Sequence, residues 1–335
     1  MAPRFTEREP YERGFGEVFD RDIAPRLDDL EAERVDRFTK RKVRLKITFV
    51  GCAILAVAGF VIGLNIWHSL HGDNLFAGVF VLAFPTFIAA GIAAGIGWWW
   101  VGKLQHGHQE AFREILIGPI CTFLGGLVYD REPGDRFDHK RFTSLGITKS
   151  GAFGRCEDLF IGRYRDTGFK MIDAKVVQQG ENSSTTVFDG LLFEIDVPTN
   201  FAGSTIISRD IGSVGNALKG FFKDKFGTQE RVKFQDAAFE ERFAVYATDP
   251  TEAYTLVSPS FCRTMLALAE TYADKSLGAA FVDGVFLLAV PVAGDLFEPG
   301  SVARSVYDCE DDIHAFLEEV SIAHRVIDIL HGEGP

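Results

Sequence analysis

Ile47-Thr48-Phe49-Val50-Gly51-Cys52-Ala53-Ile54-Leu55-Ala56-Val57-Ala58-Gly59-Phe60-Val61-Ile62-Gly63-Leu64-Asn65-Ile66 is an uncharged run whose reading decides the fold. About twenty predominantly apolar residues, rising about 1.5 Å each in a helix, span a hydrocarbon core roughly 30 Å thick. After Trp67-His68-Ser69-Leu70-His71-Gly72-Asp73-Asn74, a second uncharged run from Leu75 to Val101 is long enough to cross with some tilt. The pattern predicts two membrane helices, 47–66 and 75–101, joined by a short polar turn. A helical hairpin buried in a soluble protein is the competing reading, and two uncharged runs of this length favour the bilayer.

Working outward, the cations set the orientation. Arg37, Lys40, Arg41, Lys42, Arg44 and Lys46 crowd the entrance of the first run with no acid after Asp36. The turn between the runs has no Lys or Arg, and Lys103 and Arg113 follow the second run. Lys and Arg stay on the side of synthesis, so both termini are expected in the cytoplasm. Trp67 at one end and Trp98, Trp99 and Trp100 at the other stand where indoles prefer the headgroup layer. A cleaved signal peptide does not fit, because a long charged segment precedes the first run and no small-residue cleavage site stands at the right distance.

The chain has 335 residues and a net charge of −12, unevenly spread. Residues 1–46 carry 12 cations and 11 anions, whereas residues 103–335 carry 23 cations and 35 anions. An acidic domain held at an anionic inner leaflet is a poor nucleic-acid binder. Cys52, Cys121, Cys156, Cys262 and Cys309 are widely spaced, with no CxxC and no His at zinc spacing, and read as reduced cytoplasmic cysteines.

In the N-terminal segment, the first ten residues, with Pro3 and Pro10, read as loose. Phe15, Phe19, Ile23, Leu27 and Leu30 then recur on one stripe of a helix interrupted or bent near Pro25. From Arg26 this helix can run unbroken into the membrane. Its stripe needs a partner, and the segment leaving the membrane after Val101 is the nearest. Phe112, Ile115 and Leu116 share one side of a helix over 106–117 that Gly118-Pro119 ends or bends. The two membrane helices are therefore expected to continue side by side as a stalk. Within the spans, Gly59 and Gly63, and Ala89, Ala93 and Gly97 with Gly91 and Gly95, form small-residue ridges that either hold the hairpin together or join copies into a homo-oligomer. No ionisable residue lies inside either span, so an ion path has no visible chemistry.

Beyond Gly118 the pattern is that of an α+β domain. Strand candidates are 159–164, 169–177, 186–197, 205–208, 231–234, 242–247, 278–282 and 285–290. Asp283-Gly284 is the strongest hairpin signal, and Asp189-Gly190 marks either a similar turn or a bulge. Ser258 or Ser260 caps a helix carrying Phe261, Met265 and Leu268, and a longer helix with Ile313, Phe316, Leu317, Val320, Ile327 and Leu330 on one stripe closes the chain before Gly332. Strands and terminal helices without regular alternation predict a mostly antiparallel sheet with packed helices. The expected organisation is an N-terminal amphipathic and basic helix (1–46), the two spans (47–101), a juxtamembrane helical stalk (102–128) and a cytoplasmic α+β domain (129–335).

The ordered motifs Glu157-Asp158-Leu159 with Gly162, Val187-Phe188 with Gly190-Leu191-Leu192-Phe193, Val245-Tyr246-Ala247-Thr248-Asp249, Ser258-Pro259, Ala280-Phe281-Val282 and Asp295-Leu296-Phe297-Glu298-Pro299 resemble a bacterial two-helix membrane-protein family known only as a domain of unknown function. The resemblance runs over nearly the whole chain. In that family's pattern a basic residue stands between the Phe and Gly of the second motif, where this chain has Asp189. The resemblance implies a fold and a bacterial inner-membrane location, and brings no activity or catalytic residues.

Candidate chemistry is sparse. His106 and His108 diverge on a helix, and His68 and His71 lack a third ligand beyond Asp73, so no metal site is expected. Glu240-Glu241 reads as solvated. No G-x-S-x-G, P-loop or dinucleotide fingerprint is present, so neither a catalytic residue nor a cofactor is assigned. One stretch rises above this background: Leu218, Phe221, Phe222 and Phe226 share a helical face while Lys219 and Lys223 share another. Such a segment either packs on its own sheet with Lys outward or lies among lipid headgroups. The sequence thus points to an integral membrane protein presenting a protein-binding scaffold or sensor domain, with a lipid-surface binder using 218–226 as the second reading and an enzyme as the third.

Overall fold

The structure, a computed structural model, describes residues 4–69, 75–180, 183–209, 230–272, 277–292 and 303–332. The fold is α+β: long N-terminal helices, then a nine-stranded antiparallel sheet with helices on it. The backbone divides into two compact units, one of 1–6, 16–116 and 298–312, the other of 7–15, 117–297 and 313–335.

The short helix α1 (Phe15–Val18) passes through a π-turn at Phe19–Ile23 into α2 (Ala24–Ser69). Pro25 fits at the start of α2, so the expected interruption falls in the turn before it. All five residues of the stripe, Phe15, Phe19, Ile23, Leu27 and Leu30, are at most 3% exposed. Within the segment expected to be loose, Phe5 is packed: it meets the Phe19 ring at 6.0 Å and is itself buried, while its described neighbours from Thr6 to Pro10 are exposed. α3 (Leu75–Phe123) runs through Pro119 and ends beyond the expected 117. It stops at Gly125 and Gly126, both in the left-handed region, with Gly126 N–H donating to the Cys121 carbonyl at 2.9 Å.

α2 and α3 lie antiparallel, in register at several levels. The Arg37 guanidinium packs on Gly107, Arg44 Nη1 donates to the Trp100 carbonyl at 2.7 Å, and Cys52 Sγ lies 3.9 Å from the Ala90 carbonyl. Gly97 is the tightest point: a Cβ there would stand 2.0 Å from Thr48 Cγ2, so only glycine permits this approach. Gly59, Gly63 and Gly97 are buried, whereas a Cβ on Gly91 or Gly95 would meet open space, so only part of the small-residue ridges is used within one copy. Both helices are long and apolar enough to cross a membrane, and only 11% and 12% of their most apolar windows are buried. That exposure is unlike the core helix of a soluble protein.

In the second unit, the strands are β1 (Val128–Asp130), β2 (Ala152–Tyr164), β3 (Thr167–Gln179), β4 (Ser184–Asp196), β5 (Thr205–Ser208), β6 (Glu230–Val232), β7 (Ala244–Ala247), β8 (Gly278–Val282) and β9 (Val285–Pro291). Their order is β1-β2-β3-β4-β9-β8-β5-β7-β6. Asp283 and Gly284 both take positive φ (51° and 80°) and close the β8–β9 hairpin as a type I′ turn does. Arg165 and Asp166, also at positive φ, do the same for β2–β3 without a glycine to announce it. Asp189-Gly190 is not a turn but lies inside β4; Gly190 at φ +153° faces β9, where a Cβ would stand 2.2 Å from the Val290 carbonyl.

One face of the sheet is covered by the segment around the short helix α4 (Lys140–Ser144). There Phe137, Phe142 and Ile147 join Ile172, Phe188, Leu192 and Leu287 in a buried cluster. Also present are α5 (Ala237–Arg242), α6 (Pro250–Leu256), α7 (Pro259–Thr271) and α8 (Glu310–Leu330). α7 and α8 cover the other face. Phe261 of α7 meets Phe281 and Phe286 at 5.5 Å, and on α8 Phe316 meets Phe160 at 5.3 Å and His324 stacks on Tyr164 at 4.1 Å. Ser258 caps α7 by accepting from Phe261 N–H at 3.2 Å, as its sequence indicates.

Candidate functional site

Under α8, strands β2, β3 and β4 bring charged residues together at cross-strand spacing. Register sets Arg155 opposite Lys175, Glu157 opposite Asp173, and Lys175 opposite Asp189. Favourable pairs then form on the diagonals as well as straight across. Arg155 Nη2 donates to both oxygens of Asp173, at 2.9 and 3.1 Å, and to Asp189 at 3.1 Å, while Lys175 Nζ meets Asp189 at 3.0 Å. Glu157 flanks Arg155 at 3.5 Å. Asp173 is fully buried, and the Arg155 guanidinium supplies it with a charge-assisted pair of hydrogen bonds. Next to Glu157 the strand bulges: Asp158 takes φ +58° and its carboxylate accepts a hydrogen bond from the Tyr129 hydroxyl of β1. A cavity of about 570 Å³ opens beside this strand, lined by Arg131, Glu132, Gly154, Arg155, Cys156 and Glu157.

From α8, Glu319 enters the same environment. It is 5% exposed, and burial, then the charges of Asp173 and Glu318, push its pKa well above the usual carboxylate value of 4.5. The folded protein therefore holds a proton that the unfolded chain releases, so Glu319 supports folding fully below pH 4.5 and ever less as pH rises through its folded pKa. Glu319→Gln, which keeps the shape without a proton to lose, is expected to stabilise the domain at neutral and alkaline pH by about 1–3 kcal/mol. Thermal unfolding from pH 5 to pH 9 checks this, and the variant's profile should be the flatter one.

A second buried titratable group lies in the stalk. His108 on α3 is 1% exposed, stacks on Phe112 at 6.1 Å, and among the described residues neither ring nitrogen has a hydrogen-bond partner. Burial, then Arg37 and Arg34 of α2, lower its pKa below 6.5, with Glu33 and Glu31 opposing. A depressed pKa gives stability that is present above 6.5 and lost as pH falls through the folded value. Cysteines placed at Arg37 and Gly107 are expected to cross-link less efficiently as pH falls from 7 toward 5.5 in otherwise native protein. The His108→Gln protein should keep a constant ratio relative to a cysteine pair higher in the hairpin.

The other sequence candidates fare differently. The segment 218–226, with Leu218, Lys219, Phe221, Phe222, Lys223 and Phe226, lies outside the described residues, as does His71. Glu240 is not simply solvated: it sits on α5, accepts from Phe234 N–H at 2.9 Å and faces Arg231 at 3.6 Å, so it closes the β6–α5 connection. Glu241 is exposed. The thiols of Cys121, Cys156 and Cys309 are pushed up to about 12, and that of Cys262 to about 11, chiefly by burial. Such thiols are poor nucleophiles. Among the described residues no three His, Cys, Asp or Glu side chains converge as metal ligands. The charged cluster was not singled out from sequence, because Arg155, Asp173, Asp189 and Glu319 form no local motif. Alternation of charges inside otherwise apolar strands was the available signal.

An α+β domain joined to an apolar helical hairpin is the class this architecture defines. A family described as a protein of unknown function, DUF3137, matches residues 186–331, from β4 through α8. The resemblance read from sequence extended over nearly the whole chain; the matched domain contains neither apolar helix. No curated protein matches. Among solved structures, the crystal structure of the mycobacterial trehalose monomycolate transport factor A, TtfA, is similar at 12% identity and a TM-score of 0.30, over 64% of this chain and 93% of that one. A score this low carries no argument about function.

Proposed function

We propose that the chain is an integral protein of a bacterial inner membrane, with both termini in the cytoplasm and an α+β domain that docks a protein partner as a scaffold or sensor. The observation that carries the membrane half is the apolar surface of the hairpin: Phe49, Phe87 and Trp98 are 78%, 76% and 84% exposed, and the cations crowd one end. In water such a surface aggregates; in lipid it is solvated. The partner half is supported by the edge of the sheet. β1 covers only Leu159, Phe160 and Ile161 of the thirteen-residue β2, and the uncovered half borders the 570 Å³ cavity. A strand edge beside a cleft is a recurrent place for a protein segment to add.

The full-length protein is expected to resist alkaline carbonate extraction, and a carboxyl-terminal tag to be unreactive from outside intact cells. Extraction into the soluble fraction, or labelling from outside, overturns the membrane reading. Cross-linking in intact membranes should yield a defined partner that is lost when Gly154 is replaced by Pro at the strand edge. Failure to recover one overturns the scaffold reading.

A further inference from the structure

Along α2 the treatment of cations changes abruptly. Arg34, Arg37 and Lys40 each hold a carboxylate one turn earlier: Glu31 at 2.6 Å, Glu33 at 2.5 Å and Asp36 at 2.5 Å. From Arg41 onward this pairing stops. Among the described residues no carboxylate comes within 4.0 Å of Arg41, Lys42, Arg44, Lys46 or Lys103. The level at which it stops is marked by aromatic side chains. Arg44 holds α2 to α3 through the Trp100 carbonyl at 2.7 Å and lies 4.7 Å over the Trp100 ring. Lys103 Nζ is 3.9 Å over the Trp99 ring, and Lys42 Nζ 4.4 Å over Phe38. Trp98 and Trp99 are 84% and 61% exposed.

Five cations around exposed indoles need a counter-charge that the described residues do not supply there. Indoles settle at the headgroup layer, where the available fixed anions are lipid phosphates. Lys42 and Lys46 stand one turn apart on one helix face, and Lys103 enters from the neighbouring helix at the level of Trp99. We propose that Arg41, Lys42, Arg44, Lys46 and Lys103, with the exposed Trp98 and Trp99, form a binding site for the headgroups of anionic phospholipids at the inner end of the hairpin. Arg44 anchors the two helices, the lysines and Arg41 take the phosphates, and the indoles lie against the glycerol and upper acyl chains. This rests on the membrane reading and adds to it a lipid class.

The indoles themselves report the test. Full-length protein carrying Trp67→Phe, so that Trp98, Trp99 and Trp100 are the remaining tryptophans, is reconstituted in phosphatidylcholine vesicles. These contain either brominated phosphatidylglycerol or brominated phosphatidylcholine at equal mole fraction. Bromine quenches an indole only near contact. The anionic lipid is expected to associate about fivefold more strongly at about 0.1 M salt, and to approach parity near 1 M, where the Debye length is about 3 Å. Lys42→Gln combined with Lys46→Gln and Lys103→Gln should remove the preference, with insertion verified by the protease accessibility of a carboxyl-terminal tag. Equal quenching by both lipids at low salt overturns the site while leaving the hairpin in lipid. Absence of quenching by either overturns the membrane reading itself. The salt series on protein with its lysines intact decides the matter even if the triple variant inserts poorly.

Discussion

Replacing Arg155 by methionine is expected to destabilise the sheet domain by about 3–5 kcal/mol, the usual cost of removing one member of a buried ion pair. Asp173 is fully buried and accepts two hydrogen bonds from Arg155, whereas Asp189 keeps Lys175 at 3.0 Å when Arg155 is gone. The penalty therefore concentrates on Asp173. Glu319 offers no cation in its place: burial first, and then the charge of Asp173, raise its pKa. Arg155→Met with Asp173→Asn should recover more than half of the loss, since the double replacement removes the buried acid along with the guanidinium that donates to it. Amide hydrogen exchange in β2 and β3, measured on the full chain in detergent, reads the effect strand by strand. A loss below about 1 kcal/mol for the single variant would place the cluster with solvated surface pairs and contradict the burial of Asp173.

The sequence made the hairpin and most strands legible because those features are periodic or compositional. The uncharged run after Lys46 and the stripe of Phe15, Phe19, Ile23, Leu27 and Leu30 each bury or expose one kind of side chain at one spacing, and the structure follows them closely. β5 and β8 match their expected bounds, 205–208 and 278–282, because turn residues or polar breaks flank short apolar runs. β1 leaves no mark in the sequence: three residues are too few for a period, and it is a strand only because β2 offers Leu159, Phe160 and Ile161 as partners. Asp189-Gly190 was ambiguous for a related reason. Its glycine serves a close approach to β9 rather than a turn, and nothing local distinguishes the two. The buried cluster is the clearest case of information carried by register. Arg155, Asp173 and Glu319 carry no signal along the chain, Asp189 stands out only beside its glycine and against the family pattern, and the four come together once three strands and a helix align.

Phe15→Ala is expected to cost about 3–5 kcal/mol, because the amino-terminal arm is part of the sheet domain's own core. Residues 7–15 belong to the same compact unit as 117–297 and 313–335. Phe15 is fully buried and meets the Phe123 ring edge-on at 5.1 Å. Three residues earlier, Glu12 is 1% exposed and accepts from Arg8 N–H at 2.6 Å, Glu9 N–H at 3.1 Å and His314 Nδ1 of α8 at 2.6 Å. Burial opposes the charge on Glu12, yet these donors outweigh it and hold its pKa below 4.5. That contribution is present above pH 4.5 and is lost as pH falls through the folded value. Burial and the charge of Glu318 push the neighbouring Tyr11 hydroxyl to about 12, so it stays protonated. A fragment that starts at Ile117 lacks all three residues, and leaves the faces of Phe123 and His314 that they cover open to water. It should unfold about 10 °C below the same fragment with residues 7–15 joined to its amino end, at about 2–4 °C per kcal/mol for a domain of this size. Adding residues 7–15 as a separate peptide should restore part of the difference in proportion to its concentration, as any ligand of the folded state does. In the full chain, Glu12→Ala should speed hydrogen exchange in the first turns of α8 and leave β5 and β7 unchanged. Equal melting of the two fragments, together with unchanged exchange in both single variants, would show that the arm contributes nothing to the domain it touches.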